Sequence, residues 1–169
     1  MIKKIRIIGA PGSWKSTLAN KISKKLWVPY FELDDILYEK KYTLKRSKEE
    51  RMEILDKLCK QDKWLFEGVS IGRTELTFEK SDLIIYLSIS KRLLIKRLLF
   101  RHINRYRTIT KRVSLFNIKN LFGLIQYWLS YDTKEINTNP VFLKYIKKTI
   151  TLKTKKEIKS FIEWLENYK

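Results

Sequence analysis

Cysteine, proline and glycine are scarce in this sequence of 169 residues, which contains one, three and five of them respectively. Because Cys59 is the only cysteine, an internal disulfide bond is excluded, and we predict a cytoplasmic protein since that compartment keeps thiols reduced. No linker rich in proline, glycine or serine, and no repeat or low-complexity tract, divides the chain. We therefore predict a single domain over residues 1–169, a length that suits one hydrophobic core.

Long apolar runs are also missing. The nearest candidate, residues 114–131, is interrupted by Asn117, Lys119 and Asn120, whereas a membrane-spanning helix needs about 20 mostly apolar residues. The first residues have the pattern of a strand and lack the apolar segment and cleavage site of a signal peptide. We therefore interpret 114–131 as a buried or half-buried helix and expect no membrane partner.

Acidic residues are few relative to basic ones: 18 against 37, for a formal net charge of +19. Residues 83–131 contain ten Lys or Arg and no acidic residue. Such an excess favours anionic partners such as nucleotides or nucleic acid. The alternative is that lysine serves as a generic surface residue over the chain as a whole.

What is present is an alternation of strand-like and helix-like segments. Predicted strands cover residues 2–8, 30–33, 63–67, 82–89 and 149–152, and predicted helices cover 16–27, 47–61, 90–106, 114–131 and the segment that follows Thr154. Alternating elements predict an α/β fold, with a parallel sheet covered by helices on both faces. Ligands of such sheets bind at the carboxyl ends of the strands.

Two local patterns sharpen these predictions. Ser47 with Glu50, and Thr154 with Glu157, have the spacing of a capping box at a helix N-terminus. Four tryptophans fall within apolar stripes, so we predict that they lie in the core: Trp27, Trp64, Trp128 and Trp164.

The strongest motif follows the first predicted strand and begins the first predicted helix. It consists of Gly9, Ala10, Pro11, Gly12, Ser13, Trp14, Lys15, Ser16 and Thr17. The pattern G-x-x-x-x-G-K-[ST] in this context surrounds phosphates with backbone N–H groups, while its Lys reaches the β- and γ-phosphates and its Ser or Thr holds Mg²⁺. The segment matches at Gly9, Lys15 and Ser16, so we predict a phosphate-binding loop; the alternative is a tight turn with a capping serine.

Trp14 stands where the pattern has its last glycine. Glycine serves where the backbone needs a positive φ or approaches a ligand closely, and a large side chain at positive φ is strained by about 1–3 kcal/mol. Three interpretations remain open. The loop binds nucleotide in a changed shape, the site is inactive and the protein acts as a binding or regulatory module, or the substitution is incidental in a normal enzyme.

Several further segments fall in an order that resembles a known family. They are residues 31–35 (FELDD), 64–68 (WLFEG), Arg73-Thr74, the basic helix from Lys91, and the closing strand and helix from Thr149. Together with the loop they resemble adenylate kinases, and more closely the small P-loop proteins called DNA topology modulation proteins. The resemblance covers most of the chain. It implies a P-loop NTPase fold like that of nucleoside monophosphate kinases, with three α/β/α layers, a five-stranded parallel sheet, and ATP or GTP with Mg²⁺.

Three acidic or basic positions match the motifs of that family. Asp34 corresponds to an acidic residue that contacts the phosphoryl acceptor, and a carboxylate there can take the acceptor's proton; the alternative is that Asp34 or Asp35 caps a helix that begins at Ile36. Glu67 ends an apolar strand and would hold Mg²⁺ with Ser16, or merely pair with a basic side chain. Arg73 resembles an arginine that contacts phosphate, and its planar fork suits phosphate oxygens.

Arg97, Arg101 and Arg105 recur every four residues and so share one helix face. By resemblance they belong to a lid-like region, about residues 91–113, whose arginines close over the transferring phosphoryl group. The alternatives are a nucleic-acid interface and a solvated basic face.

The sequence therefore predicts an ATP-dependent kinase that acts on a nucleotide or another small acceptor. In it Lys15, Asp34, Arg73, Arg97 and Arg101 would be catalytic. The alternative is an impaired P-loop protein that binds nucleic acid or regulates other proteins.

Overall fold

A computed structural model describes residues 2–40, 44–97, 99–100 and 133–167. Five parallel strands form its main sheet, in the spatial order β2-β5-β1-β6-β7. The strands are β1 (Lys4–Gly9), β2 (Tyr30–Glu32), β5 (Trp64–Glu67), β6 (Leu83–Leu87) and β7 (Thr149–Leu152). The predicted α/β fold with a five-stranded parallel sheet is thus confirmed.

Helices follow the strands along the chain. They are α1 (Lys15–Leu26), α2 (Leu33–Leu37), α3 (Lys48–Cys59), α4 (Glu75–Lys80), α5 (helical at 91–97 and 99–100), α6 (Thr133–Thr138), α7 (Pro140–Lys144) and α8 (Lys155–Asn167). Short 3₁₀ turns lie at Gly72–Thr74 and Ile146–Lys148. Residues 114–131, predicted to be a helix, lie outside the described residues.

The central strands are apolar runs because both of their faces are covered. Alternate residues of β1 enter two clusters: Ile5 and Ile7 pack with α1 and α8, whereas Ile8 packs with Phe78 of α4. A third cluster, around Trp64 and Phe66, lies beside α2 and α3. The result is a sheet whose central strand has fixed neighbours on every side, which suits it to carry a ligand-binding loop at its end.

The predicted capping box is complete before α3 and half formed before α8. At the start of α3, the Glu50 N–H donates to Ser47 Oγ at 3.1 Å and the Ser47 N–H donates to Glu50 Oε2 at 2.9 Å. Before α8, the Glu157 N–H donates to Thr154 Oγ1 at 3.1 Å, but the Glu157 carboxylate accepts from the Lys153 N–H rather than from that of Thr154. Each cap satisfies N–H groups that a helix leaves without intrahelical partners.

Two predictions about the burial of side chains are wrong. Trp27 is 87% exposed because it ends α1 in the left-handed conformation, with φ 52°, beyond the buried stripe. Trp164 is 42% exposed, although Trp64 is fully buried as predicted; Trp128 lies outside the described part of the chain. The alternative in which Asp34 or Asp35 caps a helix is contradicted, because α2 already begins at Leu33 and both aspartates lie in its first turn.

A small second sheet was not predicted. Strands β3 (Tyr38–Lys40) and β4 (Leu44–Lys45) form a small antiparallel sheet after α2. Within the ranges given above, no helix is long and apolar enough to cross a membrane.

Candidate phosphate-binding site

The loop between β1 and α1 has the backbone that close approach to a ligand requires. A Cβ atom added at Gly9 would lie 2.8 Å from the Leu87 carbonyl oxygen and 2.8 Å from Ser13 Oγ, so only glycine fits between the loop and β6. Gly12 has φ 79° and Trp14 has φ 71° and ψ 15°. Trp14 therefore adopts the left-handed conformation for which glycine is preferred, at the N-cap of α1.

Lys15 folds back over this loop. Its side chain is 8% exposed, and its Nζ donates to the Ala10 carbonyl oxygen at 3.1 Å. The turn beneath it is closed by a bond from the Ser13 N–H to the same carbonyl at 3.1 Å. A buried ammonium group at a helix N-terminus gives the loop a concentrated positive charge, which favours an anion.

The Trp14 indole is held by two cations. The Arg97 guanidinium of α5 lies over the ring, with Cζ 3.7 Å from the centroid, and its Nη1 donates to the Gly12 carbonyl oxygen. Lys155 Nζ at the start of α8 lies 5.3 Å from the same centroid. These contacts are cation–π interactions, and they tie the loop to the helices that follow β6 and β7.

Ser16 and Glu67 meet at the adjoining strand end. Ser16 Oγ donates to Glu67 Oε1 at 2.9 Å, whereas Glu67 Oε2 is buried and has no hydrogen-bond partner among the described residues. A buried carboxylate oxygen without a partner costs free energy unless something binds it. Oxygen donors of this kind are the ligands that Mg²⁺ takes, so the residues present fit the predicted metal. The described residues contain no cluster of three or more His, Cys, Asp or Glu side chains, so substrate phosphates and water would complete the coordination.

Tyr30 and Glu32 border this pair, and sequence reasoning missed both. The Tyr30 hydroxyl lies 3.3 Å from Glu67 Oε1 and 3.2 Å from Glu32 Oε1. Burial raises the pKa of the Tyr30 phenol well above its usual value, and the negative charges of Glu67 and Glu32 raise it further. The phenol therefore stays protonated and acts as a donor to these carboxylates. The pairing of β2 with β5, which places Glu32 opposite Glu67, was the signal that a single sequence does not show.

The other residues predicted for the site lie on separate elements around the loop. Asp34, half-buried in the first turn of α2, lies two residues beyond the end of β2. Arg73 is exposed in the 3₁₀ turn after β5. Arg97 contacts the loop directly, whereas Arg101 and most of the predicted lid, residues 91–113, lie outside the described ranges. Thr17 is exposed on the first turn of α1.

A cavity of about 500 Å³ lies beside the loop, between α1 and α8. Trp14, Leu18, Ile158 and Ile162 provide its apolar lining, and its other lining residues are Thr17, Lys21, Lys155, Lys159 and Glu163. Cavities of this size and composition suit small molecules. Trp14 thus belongs to both the loop and the wall of the cavity.

The sequence and the structure were compared with those of known proteins. No protein-family model matches the chain. An uncharacterised protein of Bacillus subtilis, YqaC, is 34% identical over 107 residues, which are 63% of this chain, and the chain spans 60% of that relative.

Among solved structures, the chain is similar to the shikimate kinase of Acinetobacter baumannii bound to shikimate, with a TM-score of 0.55, 13% identity and coverage of 100% and 96% of the two chains. It is also similar to the shikimate kinase of Bacteroides thetaiotaomicron, with a TM-score of 0.54, 15% identity and coverage of 99% and 98%. The third is a gluconokinase of Sinorhizobium meliloti, with a TM-score of 0.54, 14% identity and coverage of 98% and 94%. The five-stranded sheet and the loop between β1 and α1 thus give this chain the fold of the P-loop kinases.

Proposed function

We propose that the protein is a phosphotransferase that uses ATP or GTP with Mg²⁺ to phosphorylate a small acceptor. The observation that carries this proposal is the convergence of Lys15, Ser16 and Glu67 at the carboxyl edge of the central strands. Phosphoryl transfer requires positioning and charge neutralisation more than covalent chemistry. Those are the properties that this edge of the sheet provides.

The chain's own groups have distinct roles in this proposal. Backbone N–H groups of the loop bind the phosphates, Lys15 neutralises the β- and γ-phosphates, and Ser16 with Glu67 holds the metal. Mg²⁺ held there would neutralise negative charge on the phosphate oxygens. The cavity between α1 and α8 adjoins the loop and is the candidate place for the nucleoside end of the nucleotide.

Transfer then takes place at the other side of the loop. Asp34 orients the acceptor hydroxyl and takes its proton while the acceptor oxygen forms a bond to the γ-phosphorus. The bond from that phosphorus to the bridging oxygen breaks, and the nucleoside diphosphate leaves. Arg73, Arg97 and Arg101 stabilise charge on the transferring group, the last two from a lid of about residues 91–113.

The acceptor is proposed as a class. The similar solved proteins are kinases of shikimate and gluconate, both of which present hydroxyl groups, and the family that the sequence resembles favours a nucleoside monophosphate. We propose that the chain is a relative of the adenylate-kinase-like DNA topology modulation proteins and accepts a small hydroxylated or phosphorylated molecule. Nucleic acid remains a candidate partner through basic residues of α5.

Trp14 decides how readily the loop binds a nucleotide. Its backbone already adopts the conformation that glycine would take, so the N–H groups of the loop keep their arrangement. Arg97, by contrast, is engaged with both Trp14 and the Gly12 carbonyl and must leave them to reach a phosphate. We therefore propose that the loop binds nucleotide, with weaker affinity than its Trp14→Gly variant.

Isothermal calorimetry of MgATP and MgGTP tests this function on the unmodified chain, Trp14→Gly and Lys15→Ala. We expect micromolar binding to the first two and an affinity lower by about 100-fold or more for Lys15→Ala, because charge-assisted bonds to phosphate are lost. If only Trp14→Gly binds, Trp14 closes the site and the chain as it stands is not a kinase. If none binds, the proposed function is wrong.

A further inference from the structure

Arg6 is a charged side chain at the centre of the apolar sheet. It lies on β1, between Phe66 of β5 and Ile84 of β6 in the strand register, and is 0% exposed. Its guanidinium Cζ is 5.1 Å from the centroid of the Phe78 ring. Arginine is almost never fully buried unless it is paired, so its partners indicate what the residue does.

Those partners are backbone carbonyl oxygens at the carboxyl edge of the sheet. Nη1 donates to Ile7 O at 2.6 Å, and Nη2 donates to Gly68 O at 3.1 Å and to Ser70 O at 2.9 Å. One rigid guanidinium fork thus joins the end of β1 to the segment that follows β5. No single-point donor such as lysine reproduces that geometry.

The segment held by Arg6, residues 68–70, links groups of the candidate site. It begins directly after Glu67, and the Ser70 carbonyl also accepts from Thr74 Oγ1 at 2.7 Å, which fastens the turn that contains Arg73. Gly68 lies close against α2, since a Cβ atom added there would lie 3.0 Å from Leu33 Cβ. The fork therefore acts on Glu67 from one end of the segment and on Arg73 from the other.

We propose that Arg6 is a positioning residue that fixes the 68–70 segment, and through it the placement of Glu67 and Arg73 relative to the phosphate-binding loop. The effect on catalysis rests on the proposed function, whereas the effect on the segment does not. Burial lowers the pKa of Arg6 to about 9, while the negative charges of Glu67 and Asp34 oppose that shift. The guanidinium is thus still charged at neutral pH.

The thermal stability of an Arg6 variant distinguishes a positioning role from a purely structural one. Removing a buried charge from water is costly, and replacing a buried ionic group by an apolar side chain of similar volume is often neutral or stabilising. An Arg6→Met variant would keep most of the packing against Phe78 and lose every bond to the 68–70 segment. If Arg6 serves position rather than stability, that variant keeps its thermal midpoint while its segment loosens.

Hydrogen–deuterium exchange of the full chain tests this on the unmodified protein, Arg6→Met and Arg6→Lys. We expect exchange in a peptide over residues 68–74 to rise about tenfold or more in Arg6→Met and less in Arg6→Lys, with a peptide over β6 unchanged. Ile84→Met is the matched control, because it alters packing beside Arg6 and removes no hydrogen bond. Unchanged exchange at 68–74, or an equal rise over β6, overturns the proposal.

Mg²⁺-dependent ATP turnover, with water as the acceptor, tests the consequence for the site. We expect kcat to fall about tenfold in Arg6→Met with KM for ATP within about twofold of the original, because the loop that binds ATP does not contact Arg6. A rise in KM with kcat unchanged contradicts the proposed link to catalysis. If the unmodified chain hydrolyses no ATP, the proposed effect of Arg6 on catalysis fails; calorimetry of MgATP still decides the proposed function, and the exchange experiment still decides the role of Arg6.

Discussion

Trp64 and Trp14 illustrate how the environment of a side chain determines its contribution to the free energy of unfolding. Trp64 is fully buried against Phe66 at 4.8 Å, whereas Trp14 is half-buried, strained at φ 71° and held by Arg97. Trp64→Ala should cost about 3–5 kcal/mol, the range for large aromatic truncations. Trp14→Gly should cost less than about 1.5 kcal/mol, because relief of strain offsets the lost cation–π contacts. Urea denaturation of both variants measures the difference, and equal costs would contradict this account of Trp14.

Glu67 provides a residue-scale test of the metal site. Its Oε2 is buried without a partner while its Oε1 accepts from Ser16, so a neutral amide would lose the charge that attracts Mg²⁺. We expect Glu67→Gln to raise the Mg²⁺ concentration for half-maximal ATP turnover by about 10- to 100-fold. The exposed Glu53→Gln of α3 is the control, and a metal requirement unchanged by Glu67→Gln would exclude the carboxylate from the site.

At the scale of residues, the sequence predicted the loop and its anomaly but not its surroundings. The positive φ of Trp14 followed from the glycine that the motif requires there, and the structure confirms it. Arg6 and Tyr30 were missed because nothing local marks them: an arginine within an apolar strand, and a tyrosine at the start of another, acquire their partners only across the sheet. Trp27 was assigned to the core because a periodic stripe does not show where its helix ends.

At the scale of elements, α3 is defined by its cap. Ser47 and Glu50 exchange hydrogen bonds with each other's N–H groups, and these bonds lower the pKa of Glu50 below its ordinary value of 4.5. A carboxyl group whose pKa is lower in the folded than in the unfolded protein stabilises the fold at pH values above its pKa in the unfolded protein. That stabilisation is lost as the pH falls through its pKa in the folded protein. The cap should therefore weaken below about pH 4.5.

Urea denaturation at pH 7 and near pH 3.5 measures that contribution. Ser47→Ala should cost about 0.5–2 kcal/mol at pH 7, and Glu50→Gln should make the free energy of unfolding less sensitive to acid than in the unmodified protein. Ser160→Ala, on an exposed face within α8, is the matched control. Identical acid sensitivity in Glu50→Gln would show that other carboxylates dominate.

Element types were predictable where the local chemistry was strong. Capping pairs, apolar runs and the glycine-bounded loop identified the central strands and both capped helices to within a few residues. The small sheet of β3 and β4 was not predicted, because Leu44–Lys45 is only two residues long and carries no alternating pattern. The end of the second strand was misplaced: apolar Leu33 was predicted as its last residue, whereas in the structure Leu33 is the first residue of α2.

At the scale of the whole molecule, the net charge of +19 works against compactness. Screening by salt reduces that repulsion, so the thermal midpoint should rise as NaCl increases from about 20 to about 200 mM. Thermal midpoints measured in sulfate and in chloride at the same ionic strength distinguish charge screening from anion binding at the loop. An effect seen only with sulfate and lost in Lys15→Ala would assign the stabilisation to the site.

The same charge makes nucleic acid the competing partner. If it is a functional partner, affinity for a labelled DNA duplex should fall steeply with salt, because each phosphate contact releases counterions. Fluorescence anisotropy across a salt series measures the slope, with and without MgATP. An absence of binding at low salt removes the main support for that alternative.

The order of strands in the sheet has a consequence for how the protein is made. β1 is synthesised first but lies between β5 and β6, with Lys4 beside Trp64 and Gly9 beside Leu87. Its backbone edges therefore stay unpaired, and its apolar faces uncovered, while the next 60 to 80 residues leave the ribosome, a condition that favours aggregation and slow folding. The loop encoded within the first 17 residues acquires its shape only when half the chain has followed it.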